Sequence, residues 1–127
     1  MIYNKKTIEF YNEININKAN LWQDFNQSMI EVKSGSHASG EYVIFQFKLD
    51  KNKKIIDNRF QVFGCGYMIA LVQWFSEFSE NKSMDELKEK IDLAMLQSMF
   101  QLPDVKNHCA LTLLSLIEQL ESQLCEN

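Results

Sequence analysis

The chain has 127 residues and a mass of 14.9 kDa, and 46% of its residues are hydrophobic, which suits one domain spanning 1–127 with its own core. A net charge of -4, with lysines and acidic residues interspersed, gives little support for nucleic-acid binding. Three cysteines, an odd number, argue against a disulfide framework. No apolar run suits a signal peptide or a membrane span, so we expect a cytoplasmic protein without membrane contact.

The N-terminal half of the chain predicts one short helix and then strands. Apolar residues separated by charges predict a helix over residues 7–11, followed by an irregular, Asn-rich connector at 12–17. Farther on, β-branched and aromatic residues alternate with polar ones, which is typical of strands. We predict strands over residues 29–33, 42–49 and 55–63, with a loop at 34–37 and a turn at 50–53.

After Gly66 the apolar residues change to a helical period. The predicted helix is amphipathic, with Tyr67, Leu71, Trp74, Phe75 and Phe78 on its apolar side and Gln73, Ser76, Glu77 and Glu80 on the other. A capping-box sequence from Ser83 to Glu86 predicts a second helix that starts there and continues to Phe100, before Pro103. A last helix is predicted over residues 110–124.

This order of elements, with most strands before most helices, predicts the fold class. It favours an α+β domain with a small antiparallel three-stranded sheet covered by helices on one face. In such a fold Glu41 lies at the entry to one strand, Cys65 at the exit of the next, and Cys109 at the start of the last helix. All three side chains can therefore lie at one rim of the domain.

Two short segments carry residues suited to binding a metal, FGCG at 63–66 and LPDVKNHC at 102–109. Cys65 and Cys109 each precede or open a predicted helix, where the N-terminus stabilises a negative charge by about 0.3 to 1 kcal/mol. Both sulfurs are thus predicted to favour the thiolate, and His108 adds a nitrogen ligand. A cysteine standing alone is more often a small buried hydrophobe, and Cys125, in a polar tail, is predicted to have no role.

The catalytic alternative is a thiol nucleophile with a histidine base. The neighbouring side chains of His108 and Cys109 are not expected to place a ring nitrogen against the sulfur, so the base would be His37, acting on Cys65 or Cys109. The sequence offers no orienting third group for such a pair. It also contains no Gly-rich phosphate loop, HExxH or CxxC motif.

With Ser39-Gly40-Glu41 upstream, these two segments resemble the motifs of the IscU/NifU-type iron-sulfur cluster scaffold proteins. The resemblance to this family extends over nearly the whole chain. The resemblance implies a protein that receives sulfur from a cysteine desulfurase and assembles a [2Fe-2S] cluster. It also implies delivery of the cluster with an Hsp70-type chaperone and co-chaperone, and zinc bound at the same site when no cluster is present.

The resemblance also implies the ligands. Cys65 and Cys109 correspond to two of the three cysteine ligands, and His108 to the histidine. Glu41 falls where the family has an aspartate. Ser39 falls where the family has its first cysteine and would be a weak ligand, because a hydroxyl is hard to ionise and lowers the preference for an iron-sulfur cluster.

Further roles follow from the same resemblance. Lys106 is the expected site lysine and Cys109 the expected sulfur acceptor. The chaperone-binding segment would comprise Leu102, Pro103, Val105 and Lys106, although Asp104 replaces a proline of the family motif.

The expected function is therefore that of a scaffold and not of an enzyme. Glu41, Cys65, His108 and Cys109 form a complete O, S, N, S set for zinc or iron, with a labile [2Fe-2S] cluster as the further cargo. The alternative is a regulatory binding partner that docks on the desulfurase or the chaperone without assembling clusters. Whether the chain forms a homodimer is left open.

Overall fold

The computed structural model describes residues 3–13, 18–24, 26, 28–36 and 38–126. Most of the predicted connector, residues 14–17, and the loop residue His37 lie outside the described residues. In chain order the elements are α1 (Lys5–Asn12), β1 (Met29–Ser36), β2 (Glu41–Leu49), β3 (Ile55–Phe63), α2 (Gly66–Ser79), α3 (Met84–Lys90), α4 (Leu93–Phe100), a 3-10 turn (Asp104–Lys106) and α5 (Asn107–Glu126). The predicted α+β class is confirmed.

The three strands form one antiparallel sheet in the order β1-β2-β3. Its inner face carries Phe45 and Phe47, whose rings stack 5.3 Å apart and both meet the ring of Phe75 on α2 edge-on. Edge-to-face contacts of this kind add to the stabilisation from burying the rings. The predicted loop at 34–36 is wrong, because these residues continue β1 and pair with the first residues of β2.

Helix α2 is buried more completely than the amphipathic pattern predicts. Gln73 and Ser76, which were assigned to its polar side, are each only 1% exposed. The Ser76 hydroxyl donates to Asn58 Oδ1 at 2.5 Å, and Asn58 Nδ2 donates to the Ser76 carbonyl at 2.9 Å. The prediction of a solvated side is wrong at these two positions. For Ser76 the reason is that Asn58, on the neighbouring β3, provides hydrogen-bond partners in place of water, while the buried Gln73 side chain is hydrogen-bonded to Glu77 of the same helix.

The helix predicted from Ser83 to Phe100 is in fact two helices. Ser83 Oγ accepts from the Glu86 amide at 3.3 Å, so the predicted start is confirmed. The chain leaves the helix at Ile91, whose side chain is buried, and Asp92 begins α4 by accepting from the Met95 amide at 2.8 Å. An aspartate at an N-cap starts a new helix as readily as a serine does.

No helix in the described ranges is both long and apolar enough to cross a membrane.

The outer segment, residues 18–24, crosses the other face of the sheet. The ring of Trp22 lies between Lys48 Nζ, at 4.3 Å, and the Arg59 guanidinium, at 4.8 Å. The Gln46 side chain accepts from the Trp22 amide at 2.6 Å and donates to its carbonyl at 3.3 Å. Helices therefore cover the inner face, as predicted, and an irregular segment covers part of the outer one.

Three element ends meet at one rim of the domain. Glu41 is the first residue of β2, Cys65 is the N-cap of α2, and Cys109 lies in the first turn of α5. The hairpin before Glu41 depends on Gly35, which has φ +82°, and a Cβ there would lie 2.1 Å from the Glu41 carbonyl oxygen. Because only glycine fits that position, the backbone entering β2 is fixed beside the thiols.

Candidate metal centre

The sulfur of Cys109 is the central atom of the site. Its Sγ lies 3.7 Å from Cys65 Sγ, 3.7 Å from Glu41 Oε2 and 3.6 Å from His108 Nε2. Cys109 is fully buried, Cys65 is partly exposed, and neither forms a disulfide. The structure thus brings the four predicted ligand residues into one cluster.

The His108 ring is held by a backbone carbonyl. Its Nδ1 lies 3.1 Å from the carbonyl oxygen of Val105, which can only accept, so Nδ1 carries a proton. In the neutral ring the Nε2 lone pair then faces Glu41 Oε2, at 3.4 Å, and the sulfur of Cys109. The expectation that adjacent side chains would keep this nitrogen away from the sulfur is wrong, because the carbonyl one turn back orients the ring.

The two thiols differ in their pKa values. A hydrogen bond from Cys109 lowers the pKa of Cys65 to about 5, against the effect of burial and with help from the amides of Met68 and Tyr67 and the Lys106 ammonium. The same hydrogen bond, together with burial, raises the pKa of Cys109. The predicted bias toward the thiolate therefore holds for Cys65 and is wrong for Cys109, since one proton is shared by the pair.

The lowered pKa gives a first testable prediction. In metal-free protein carrying Cys125→Ser, iodoacetamide should alkylate Cys65 much faster than Cys109 at neutral pH. The Cys65 rate should fall as the pH drops through about 5 and be flat above about pH 6, whereas an ordinary thiol titrates near 8.5. Peptide mass spectrometry checks this, and a Cys65 rate that still climbs between pH 7 and 9 would contradict it.

Sequence reasoning missed one residue of the site, Thr112. Its Oγ1 lies 3.1 Å from Glu41 Oε1 and 2.9 Å from the carbonyl oxygen of His108. Thr112 follows His108 by four residues, so in a helix that includes both residues their side chains lie on the same face. That spacing would have pointed to Thr112 only if the helix had been predicted to begin before His108. The predicted helix began at residue 110, whereas α5 begins at Asn107.

The spacing of the donor atoms suits a tetrahedral metal ion. Bonds of about 2.0 to 2.3 Å from the metal place tetrahedral N, O and S ligand atoms about 3.3 to 3.8 Å apart. The four contacts among Glu41, Cys65, His108 and Cys109 measure 3.4 to 3.7 Å. One ligand atom each from Glu41, His108 and Cys109 lie within 4.8 Å of one another, with Cys65 joined through Cys109. Glu41, His108 and Cys109 therefore fit a divalent metal as they stand, and the Cys65 sulfur, which lies outside this group of three, would have to move nearer to complete four ligands.

The sequence model of the NifU-like N-terminal domain matches residues 2–119. The chain belongs to this family. The IscU/NifU resemblance read from the two segments is confirmed.

Relatives of this NifU-like domain are known from several organisms. The chain is 32% identical over 112 residues to the iron-sulfur cluster assembly scaffold protein IscU of Haemophilus influenzae, an alignment covering 87% of this chain and 86% of the relative. It is 38% identical over 77 residues, 61% of its length, to the iron-sulfur cluster assembly enzyme IscU of Drosophila melanogaster, and spans 49% of that protein.

A solved structure supports the same fold. The crystal structure described as an iron-sulfur cluster assembly scaffold protein for the SUF system, from Fervidobacterium islandicum AW-1, aligns with a TM-score of 0.66. The alignment covers 91% of this chain and 93% of that one at 18% identity.

Ser39 of the NifU-like domain lies beside the centre, in the turn between β1 and β2. Its hydroxyl lies 2.8 Å from the carbonyl oxygen of Ser36 and 3.0 Å from that of Glu41, and it faces the Ser36 amide at 3.2 Å. A cleft of about 380 Å³ opens there, lined among others by Ser39, Glu41, Cys65, Lys106, His108 and Thr112. The predicted site lysine thus lies at the cleft, while the Ser39 hydroxyl is engaged by its own turn.

The predicted chaperone segment forms the approach to α5. Val105 is 72% exposed, whereas Leu102 packs against the hydrophobic core. Pro103 is the N-cap of the 3-10 turn, and its carbonyl accepts from the Lys106 amide at 2.8 Å. Of this segment Val105 is the most exposed apolar side chain, while Leu102 and Pro103 are partly exposed.

Within the described part of the chain, the remaining predicted residues form no second site. Cys125 is exposed near the end of α5, away from the rim. His37, the base of the catalytic alternative, lies outside the described residues. Of its two candidate nucleophiles, Cys109 is fully buried with a raised pKa, which does not favour that chemistry, whereas Cys65 is partly exposed with a lowered pKa.

Proposed function

We propose that this NifU-like domain is an iron-sulfur cluster assembly scaffold that holds its cargo on Glu41, Cys65, His108 and Cys109. The cargo is iron, a labile [2Fe-2S] cluster, or zinc when no cluster is built. The observation that supports this is the group of O, N and S atoms from Glu41, His108 and Cys109, which lie within 4.8 Å of one another, with Cys65 Sγ 3.7 Å from Cys109 Sγ. In this role the chain carries a group without turning over a substrate.

The partners follow from the same proposal. A cysteine desulfurase would supply sulfur through the cleft beside Lys106, and an Hsp70-type chaperone with its co-chaperone would engage the segment that exposes Val105. The similarity to proteins named as scaffolds supports this class of partner. Asp104, in place of the family's proline, is expected to weaken the chaperone contact.

Sulfur acceptance at Cys109 stays a prediction, with Cys65 as the competing thiol because its sulfur is the more exposed. A desulfurase persulfide would pass its outer sulfur to the attacking thiolate and keep the inner one as its own thiolate. Mass spectrometry of Cys65→Ser and Cys109→Ser after incubation with a charged desulfurase would locate the added sulfur. A persulfide retained by Cys109→Ser and lost by Cys65→Ser would reject Cys109 as the first acceptor.

The test of the scaffold proposal is the metal content of the protein itself. Protein purified without air should carry about one equivalent of iron or zinc, and reconstitution with iron and sulfide should produce the visible absorption of a [2Fe-2S] cluster. Protein that carries no stoichiometric metal and binds none on titration would reject the proposal. Zinc without any reconstituted cluster would support metal binding and reject assembly.

The lability of the cluster is expected to depend on residue 39. Ser39→Cys adds a soft thiolate at the cleft, so the reconstituted cluster should survive desalting and lose its absorbance more slowly than in the unaltered chain. Ser36→Cys, at the exposed end of β1 where the same turn begins, is the matched control and should change nothing. Equal decay in all three proteins would mean that the missing thiolate is not the limiting ligand.

The second candidate is a regulatory binding partner that docks on the desulfurase or chaperone without assembling clusters. The observation that favours it is the Ser39 hydroxyl, which is held by backbone groups of its own turn where the family has a thiolate. It predicts desulfurase binding by protein that fails reconstitution. Cluster formation in the unaltered chain would exclude it.

A further inference from the structure

We propose that Thr112 is a positioning residue that holds Glu41 as a one-oxygen ligand of the metal. The inference rests on the proposed metal site and assigns a role to a side chain outside the four ligands. It follows from the way the two carboxylate oxygens of Glu41 are divided between neighbours.

The two oxygens of Glu41 face different partners. Oε1 lies 3.1 Å from Thr112 Oγ1. Oε2 lies 3.4 Å from His108 Nε2 and 3.7 Å from Cys109 Sγ. A carboxylate with this orientation can offer Oε2 to a metal ion bound by His108 and Cys109, while Oε1 is hydrogen-bonded to Thr112.

The Thr112 hydroxyl has one proton and two acceptors in reach. The second acceptor is the His108 carbonyl one turn earlier, at 2.9 Å. Hydrogen bonds to an ionised carboxylate are roughly twice as strong as those to a neutral acceptor, so the proton is best given to Glu41. In a three-centre bond the same proton also points toward the His108 carbonyl, which keeps the Thr112 side chain on this side of α5.

This support matters more for a glutamate than for a shorter acid. Glu41 stands where the family resemblance places an aspartate, and its extra methylene gives the carboxylate more rotamers to lose on binding a metal. A carboxylate free to rotate could also bind through both oxygens and raise the coordination number. Thr112 removes both options, because it fixes Oε1 outside the ligand set.

Cobalt(II) is the probe for the test, because its visible d-d bands are intense in a four-coordinate site and weaker in a five-coordinate one. Thr112→Val keeps the shape and removes the hydroxyl, and it should weaken the cobalt affinity by about 10-fold or more and reduce the band intensity. Thr112→Ser keeps the hydroxyl and should retain the spectrum and the affinity to within about threefold. Urea unfolding of the metal-free proteins shows whether each variant folds, and Thr112→Ala carries the same expectation should the valine variant not fold.

A double-mutant cycle separates positioning from a general structural effect. If Thr112 acts through Glu41, then Thr112→Val should weaken cobalt binding in the unaltered chain and have no further effect in a Glu41→Ala background, which has no side-chain oxygen for Thr112 to hold. The same loss in both backgrounds would overturn the inference, as would a valine variant with unchanged affinity and spectrum. An unaltered chain that binds no cobalt would instead reject the proposed metal site, and this inference with it.

Discussion

Replacing Cys109 with serine is expected to lower the affinity for zinc or cobalt by about 60- to 700-fold. Structural zinc sites contribute about 10 to 16 kcal/mol over four ligands, so the loss of one thiolate costs about 2.5 to 4 kcal/mol. Cys109 should show the full effect because its sulfur contacts all three other ligand residues. Competition with a chelator of known affinity measures the change.

Two further variants make this result interpretable. Cys125→Ser changes a thiol on the exposed end of α5 and should leave the affinity unaltered. Cys65→Ser removes the partly exposed thiol and should also weaken binding, with less disturbance of the core than a change at the fully buried Cys109. Metal affinity that is equal in the Cys109, Cys65 and Cys125 variants would mean that the metal lies elsewhere.

The second large effect is expected at Asn58, which joins β3 to α2 inside the core. Asn58→Asp should lower the free energy of unfolding by about 3 to 5 kcal/mol at neutral pH. Asn58 is fully buried, and its Nδ2 donates to the Ser76 carbonyl at 2.9 Å. In the variant a carboxylate oxygen would face that carbonyl oxygen, so a buried charge would replace a hydrogen bond. Urea denaturation measures the loss.

The pH dependence of this loss tests its cause. A buried carboxyl without a cation has a raised pKa, so its protonated form is favoured and can donate to the Ser76 carbonyl again. The deficit relative to the unaltered chain should therefore be small below about pH 4, grow as the pH rises from the ordinary aspartate pKa of about 3.9 toward the raised pKa, and level off above it. Asn52→Asp, in the exposed turn after β2, should cost less than about 0.5 kcal/mol at any pH. A pH-independent deficit at Asn58 would point to altered packing and not to charge.

The sequence by itself determined the features that depend on local pattern. The strand pattern of apolar and polar residues predicted both ends of β3, Ile55–Phe63, correctly. The capping-box sequence predicted the start of α3, where the Ser83 side chain accepts from the Glu86 amide. The two short segments identified the family and named the candidate ligands, because the identity and order of chemical groups are written in the chain. A strand period, a cap and a motif each lie within a few neighbouring residues, so they can be read without the rest of the molecule.

Tertiary structure decided what depends on groups far apart in the chain. Gln73 and Ser76 look solvated in a helical pattern, and only the strand packed beside them shows that Ser76 bonds to Asn58. The different pKa values of the two thiols likewise depend on a contact between sulfurs 44 residues apart. The contact of Thr112 with Glu41 joins residues separated by 71 positions. Hydrogen bonds and charge interactions act over a few ångströms, so their partners are set by the packing of elements and not by spacing along the sequence.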